Sequence, residues 1–242
     1  MKIGVKKDIT TEKTRNIITE NSRFPVVEAY KIARTNLMFT VAATNNKFVV
    51  FTSWSKGEGK STVTSNMAIS LAKLGKKVLL IDADLRKPNV NNLLKITNGK
   101  GLSEVLGKFE KLEDVIKKDV LPDLDVITSG VVPPNPSELL GSTHLKELFD
   151  KVEPNYDYIL IDTPPVGIVT DAIIMKELVA GYVFIVRERS TTHGDIEKFI
   201  QTLKLADAPI LGIVESNCDY SKGKGTGKKG YGNYYYYNSY YW

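Results

Sequence analysis

Phe48-Val49-Val50-Phe51-Thr52-Ser53-Trp54-Ser55-Lys56-Gly57-Glu58-Gly59-Lys60-Ser61-Thr62 runs from an apolar stretch through a glycine-containing loop directly into a helical pattern. Phe48 to Thr52 reads as a buried strand, and Lys60 to Leu74 as a helix closed by Gly75. Such a turn is built to hold phosphate. Gly57 and Gly59 let backbone N–H groups curl around phosphate oxygens, Lys60 reaches the β- and γ-phosphates, and the helix N-terminus adds its positive dipole. Ser61 offers a hydroxyl to Mg²⁺, and Ser55, Lys56, Glu58 and Thr62 complete the loop around the nucleotide. Trp54 stands six residues before the lysine, where the usual pattern has glycine, so the strand-loop-helix context carries the reading.

Working outward, short apolar runs recur at 78–81, 124–127, 158–161, 183–186 and 210–214. Helical patterns lie between them, around 137–151, 171–179 and 192–206, the last with a capping box expected from Thr192 and Asp195. Continuous apolar strands alternating with helices predict an α/β fold, a mostly parallel sheet covered on both faces. Ligands of such sheets sit at the carboxyl ends of the strands. Two of those ends are acidic: Val78-Leu79-Leu80-Ile81-Asp82-Ala83-Asp84 and Tyr158-Ile159-Leu160-Ile161-Asp162. Mg²⁺ takes octahedral oxygen ligands and keeps several waters, so Ser61, Asp82 and Asp162 are the expected metal set, directly or through water. Asp84 is left to take a proton from an attacking hydroxyl, or to form a surface ion pair with Arg86 or Lys87.

The 242 residues are 42% hydrophobic and 25% charged, enough for one well-buried core. The expected organisation is a loose polar arm over 1–23, one domain over 24–219 opened by a helix at 25–43, and a separate C-terminal tail over 220–242. A net charge of +5 is modest, and four of the lysines lie in the tail, so composition alone does not call for nucleic acid. One cysteine, Cys218, excludes an internal disulfide and any multi-cysteine metal site, and the isolated His144 and His193 lack metal-ligand spacing. Met1 to Lys7 lacks the apolar run of a signal peptide, and no stretch reaches the roughly 18 apolar residues that cross a bilayer, so membrane association is expected only through a partner or surface charge.

Ser221 to Gly230 holds four lysines and four glycines with no acid, which favours a solvated chain. After it come Tyr231, Tyr234, Tyr235, Tyr236, Tyr237, Tyr240 and Tyr241, seven of the twelve tyrosines. They read as acceptors for phosphate, or as an adhesive low-complexity segment. Each phosphate would add roughly −1.5 to −2 charges, so a few would reverse the sign of the tail. Tyr220 to Tyr235 could span at most about 50 Å extended, or about 20 Å as a coil, so a neighbouring molecule's site is within range.

Taken together, Gly57-Glu58-Gly59-Lys60-Ser61-Thr62, Asp82-Ala83-Asp84-Leu85-Arg86-Lys87-Pro88, Asp162, Pro133-Pro134-Asn135-Pro136-Ser137-Glu138-Leu139-Leu140 and the tyrosine cluster resemble a bacterial tyrosine kinase of the capsular and exopolysaccharide type, in the form of the separate kinase subunit of Gram-positive bacteria. The resemblance implies a P-loop NTPase fold, Mg-ATP bound by Lys60 and Ser61, an acidic site of Asp82, Asp84 and Asp162, and tail tyrosines autophosphorylated in trans. It also implies a homo-oligomeric ring that phosphorylation disassembles. A transmembrane activator of the polysaccharide co-polymerase type would hold the kinase, otherwise cytoplasmic, at the inner face of the membrane. The family's oligomerisation helix reads Glu-x-x-Arg-x-x-Arg, and Glu28, Lys31 and Arg34 occupy those places. Lysine lacks arginine's bidentate fork. Lys56 stands where the family has proline. In the related partitioning and septum-positioning ATPases a signature lysine precedes the loop lysine by five residues, where this chain has Ser55, and an asparagine reads the base, a place that Asn217 or the neighbouring Ser216 would take. A switch ATPase controlling attachment to membrane or DNA is therefore the rival expectation.

Overall fold

The computed structural model describes residues 17–218. The tail tyrosines Tyr231, Tyr234, Tyr235, Tyr236, Tyr237, Tyr240 and Tyr241 lie outside the described residues. In chain order the elements are α1 (Phe24–Ala42), β1 (Phe48–Ser53), α2 (Lys60–Ala72), β2 (Val78–Asp82), α3 (Val90–Leu94), α4 (Leu102–Leu106), α5 (Leu112–Val115), β3 (Lys117–Leu121), β4 (Leu124–Ile127), α6 (Pro136–Leu140), α7 (Thr143–Val152), β5 (Tyr158–Asp162), α8 (Asp171–Ile174), β6 (Gly181–Arg187), α9 (His193–Leu205) and β7 (Ile210–Ser216).

The strands form one seven-stranded sheet in the order β3-β4-β2-β5-β1-β6-β7. Every pairing is parallel except β3 with β4. The strand period of two sorts side chains to opposite faces. Val49 and Phe51 join Leu37, Val63 and Met67 under α1 and α2, whereas Phe48 and Val50 join Leu148, Phe149 and Phe199 on the other face. Phe184 stacks on Phe199 of α9 with ring centroids 3.6 Å apart, and Phe48 on Phe149 of α7 at 4.3 Å. Both faces are thus dry, which is why the central strands read as unbroken apolar runs rather than alternating ones.

Several expectations need correction. The arm expected to be loose is pinned at one point: Ile18 is buried, and its N–H donates to Asn66 Oδ1 at 2.8 Å, whereas Thr19 to Asn21 and Arg23 are exposed. The helix expected over 137–151 is two, because Ser142 takes an extended backbone between α6 and α7. The segment 171–179 holds only the short α8 and a 3₁₀ turn at Lys176–Leu178. The edge strand β3 escaped notice because Lys117-Lys118-Asp119-Val120-Leu121 is polar and mostly exposed. Gly75 does close α2's turn, at φ 76°, and Thr192 with Asp195 does form the capping box of α9.

Candidate active site

The chain enters the site from β1 and leaves it as α2. Gly57 and Gly59 have φ of 79° and 88°, left-handed values that a side chain resists, and Gly59 is the residue on which α2 begins. These two turns wrap the loop around the first turn of the helix. Ser55 and Lys56 are exposed, Thr62 is half-buried, and Glu58 points inward and is 2% exposed. Its carboxylate accepts the Ser55 N–H at 2.8 Å, and the hydroxyl of Thr191 donates to the other oxygen.

Lys60 is buried, and its Nζ lies 3.2 Å from Asp162 Oδ1 and 3.4 Å from Asp84 Oδ2. Parallel pairing places Asp82 on β2 directly opposite Asp162 on β5. β5 sits between β2 and β1, so two acidic strand ends and the loop lysine meet at one crevice. Asp82 Oδ2 accepts the N–H groups of Asn89 and Val90 at 3.2 and 3.1 Å. Asp84 is buried against Lys60 and accepts the Lys87 N–H at 3.0 Å, so the surface ion pair with Arg86 or Lys87 does not form.

Three carboxylates face one ammonium, and the imbalance shows in their protonation. Burial, followed by the facing Asp162, pushes Asp82 up to about 7. Burial also raises Asp162, although Lys60 pulls the other way. For Lys60 burial alone would lower the pKa, but Asp162 and Asp84 outweigh it and the net shift is upward. Asp162 Oδ2 is buried with no hydrogen-bond partner. A cation brought beside Ser61, Asp82 and Asp162 would satisfy that oxygen and relieve the repulsion, so these residues fit a divalent metal. Among the described residues no cluster of three or more His, Cys, Asp or Glu side chains would hold a metal by itself. Mg²⁺ asks for less, since one or two carboxylates with substrate phosphates and water suffice.

Arg86 instead reaches Asp171, the wholly buried first residue of α8, through Nε at 2.8 Å and Nη2 at 3.1 Å. Ser137 of α6 accepts from Arg86 at 2.8 Å and donates to Asp171 at 2.7 Å. The clasp joins the loop after β2, the 133–140 stretch and the segment after β5. Asp171 carried no sequence signal of this role.

A cavity of about 550 Å³ lies between α1, α2 and β7. It does not enclose Lys60 or the aspartates, but Gly59 and Thr62 border it on one side and Ser216 and Asn217 on the other. Asn217 follows β7 with φ 61°. Ser216 touches the phosphate loop itself, donating to the Glu58 carbonyl at 2.5 Å. The α1 charges are engaged within the molecule: Lys31 pairs with Glu28 at 2.7 Å, and Arg34 donates to the Ser70 carbonyl of α2 at 2.8 Å. Lys31 remains exposed, whereas Arg34 is half-buried against α2. His144 contacts the Leu106 carbonyl at 2.8 Å, and His193 opens α9, so neither enters the site. Among the described residues no helix is long and apolar enough to cross a membrane.

Comparison with known proteins accords with this geometry. A family described as an AAA domain matches residues 46–211. Tyrosine-protein kinase YwqD of Bacillus subtilis (strain 168) is 37% identical over 221 residues, which is 91% of this chain and 93% of that protein. Putative tyrosine-protein kinase EpsB of Ralstonia solanacearum is 36% identical over 87% of this chain, but this chain spans only 28% of its length. Among solved structures, the chimerical protein CapA2B2 superposes with a TM-score of 0.78 at 35% identity, covering 83% of this chain and 88% of that one. The septum site-determining protein MinD of Pyrococcus horikoshii OT3, complexed with Mg-ADP, gives a TM-score of 0.58 at 27% identity, covering 69% and 68%. The family match and these neighbours, one of them solved with Mg-ADP, point to nucleotide binding with a metal ion.

Proposed function

Since the chain belongs to the bacterial tyrosine-protein kinases and is a protein-tyrosine kinase, we propose that it transfers the γ-phosphoryl group of ATP to tyrosines of its own C-terminal segment, on neighbouring copies, in the service of capsular or exopolysaccharide synthesis. The catalytic unit is residues 24–219, and residues 220–242 are the acceptor segment. The observation that carries the reading is Lys60 Nζ held between Asp162 and Asp84 at the mouth of the phosphate loop.

Phosphoryl transfer demands mostly positioning and charge neutralisation. The N–H groups of 57–61 hold the phosphates, and Lys60 exchanges its carboxylate partners for the β- and γ-oxygens. Ser61, Asp82 and Asp162 would hold Mg²⁺, which when bound would neutralise charge developing on the phosphates. Asp84 accepts the phenol proton as the tyrosine oxygen bonds to the γ-phosphorus and the bond to the β-bridging oxygen breaks, leaving ADP. Asn217 and the cavity beside it receive the base.

A membrane-bound activator is the proposed partner, and the likeness to a chimerical protein, CapA2B2, fits a kinase that works with a second protein. Glu28, Lys31 and Arg34 are proposed to contribute to a ring of copies when the tail is unphosphorylated. No nucleic-acid partner is proposed.

The test is phosphotyrosine mapping by mass spectrometry after incubating the full chain with Mg-ATP, alongside Lys60→Ala. Phosphate is expected on tyrosines between 231 and 241, at least about 100-fold reduced in the variant, the usual loss when one transition-state donor is removed. Released phosphate with unmodified tyrosines would point instead to an ATP-driven switch.

A further inference from the structure

The phosphate loop does not hold its own shape. Its N–H groups can face an anion only while its carbonyls face away, and two of those carbonyls are held by side chains from the far end of the sequence. Arg187, the last residue of β6, donates from Nη1 to the Gly57 carbonyl at 2.6 Å. Ser216, the last residue of β7, donates to the Glu58 carbonyl at 2.5 Å. Between them sits Thr191. Its hydroxyl donates to the buried Glu58 carboxylate and accepts the Arg187 N–H at 2.8 Å. The other Glu58 oxygen takes the Ser55 N–H, which fixes the loop's entry.

Resting on the nucleotide-site reading above, we infer that Arg187, Thr191 and Ser216 are positioning residues that set the phosphate loop in its anion-binding form. Thr191 is the centre of the device. A buried carboxylate needs its donors, and Glu58 is 2% exposed with only two recorded, Ser55 N–H and the Thr191 hydroxyl. Removing the hydroxyl frees Glu58 to turn out of the fold, and the Gly57-Glu58-Gly59 backbone turns with it. The hydroxyl matters here and the methyl does not, so serine should substitute for threonine. The three residues touch the loop and no reacting atom, so their loss falls on nucleotide affinity rather than on the transfer step.

The experiment uses the full chain with Mg²⁺ and a fluorescent ADP as probe, comparing wild type with Thr191→Val and Thr191→Ser. A hydrogen bond to a charged group corresponds to about a tenfold change in binding. Thr191→Val is expected to weaken the Kd about tenfold, with the KM for ATP rising in step and kcat changing much less. Thr191→Ser is expected to return both to within about twofold of wild type. A merely structural threonine would lower the melting temperature without separating KM from kcat and without rescue by serine. Equal Kd in wild type and Thr191→Val overturns the inference. Should Thr191→Val fail to fold, Ser216→Ala decides the matter, since it removes one loop donor at a half-buried site. Weakened binding there supports the inference, and unchanged binding overturns it. Failure of the wild-type chain to bind the probe would instead refute the nucleotide-site reading itself.

Discussion

Asp82 begins, when unfolded, as an ordinary carboxyl, and in the fold burial and Asp162 push it up to about 7. Between those two values the folded chain binds more protons than the unfolded one. The stability contributed by the folded-state proton is therefore complete below about pH 4 and is lost as pH rises through about 7. Asp162 is raised in the same direction, whereas the lowered carboxyls Asp125 and Asp195 act only in more acidic solution. The thermal midpoint of the metal-free, nucleotide-free chain is expected to rise by several degrees from pH 8 to pH 5.5, and Asp82→Asn should flatten that rise. A calorimetric midpoint indifferent to pH, or one that Asp82→Asn leaves equally steep, would count against the assignment. With Asp82 in the proposed metal set, the same ionisation is expected to strengthen metal-supported nucleotide binding as pH climbs. The identities of Lys60, Asp82, Asp84 and Asp162 were readable from strand ends and loop spacing. Their mutual repulsion was not, because it depends on which strands become neighbours.

At the level of elements, the clasp of Arg86, Ser137 and Asp171 makes an asymmetric claim. Arg86→Ala would leave Asp171 wholly buried with Ser137 as its remaining recorded side-chain partner, whereas Asp171→Ala leaves a guanidinium whose side chain is already 39% exposed and can turn to water. Stranding the buried charge is the greater cost, about 3–5 kcal/mol, against about 1–2 kcal/mol for the reverse. Urea unfolding of the two variants should show that order, and equal losses would mean that the pair does not hold α6, α8 and the loop after β2 together. Sequence periodicity found the long α2 and α9 but merged α6 with α7, because Leu139, Leu140, Leu145 and Leu148 keep nearly helical spacing across the Gly141-Ser142 break. It missed β3 for the opposite reason: an edge strand with Asp119 at φ 49° carries no apolar rhythm to detect.

Taken as a whole, the molecule was legible wherever information was local. Each apolar run became a parallel strand, and the ligand crevice lies at the strands' carboxyl ends. The strand order was not legible, and with it went every contact that depends on β5 slipping between β2 and β1 or on β6 and β7 ending beside the loop. Arg187, Thr191 and Ser216 stand 130 to 158 residues from the loop atoms they hold. Arg34 anchors α1 to α2 through the Ser70 carbonyl, and its Nε is buried without a partner. Arg34→Ala is therefore expected to lower the unfolding free energy by about 1–3 kcal/mol, besides any loss of oligomer mass. Smaller oligomers at unchanged stability, by light scattering and urea titration, would show that Arg34 acts between copies rather than within one.

One more consequence follows from Trp54, which occupies the loop position usually given to glycine. A Cβ on Gly167 would fall 2.7 Å from the Trp54 ring and 2.5 Å from its carbonyl oxygen, so the indole lies directly on the segment that follows Asp162. The chain has only two tryptophans, the other being Trp242. With Trp242 replaced by phenylalanine, the tryptophan emission of the protein, excited selectively beyond the tyrosine absorption, would come from a single indole wedged between the phosphate loop and the segment after Asp162. The residue that spoils the motif thereby gives the site a built-in optical reporter, placed to register a ligand entering the loop without any added dye.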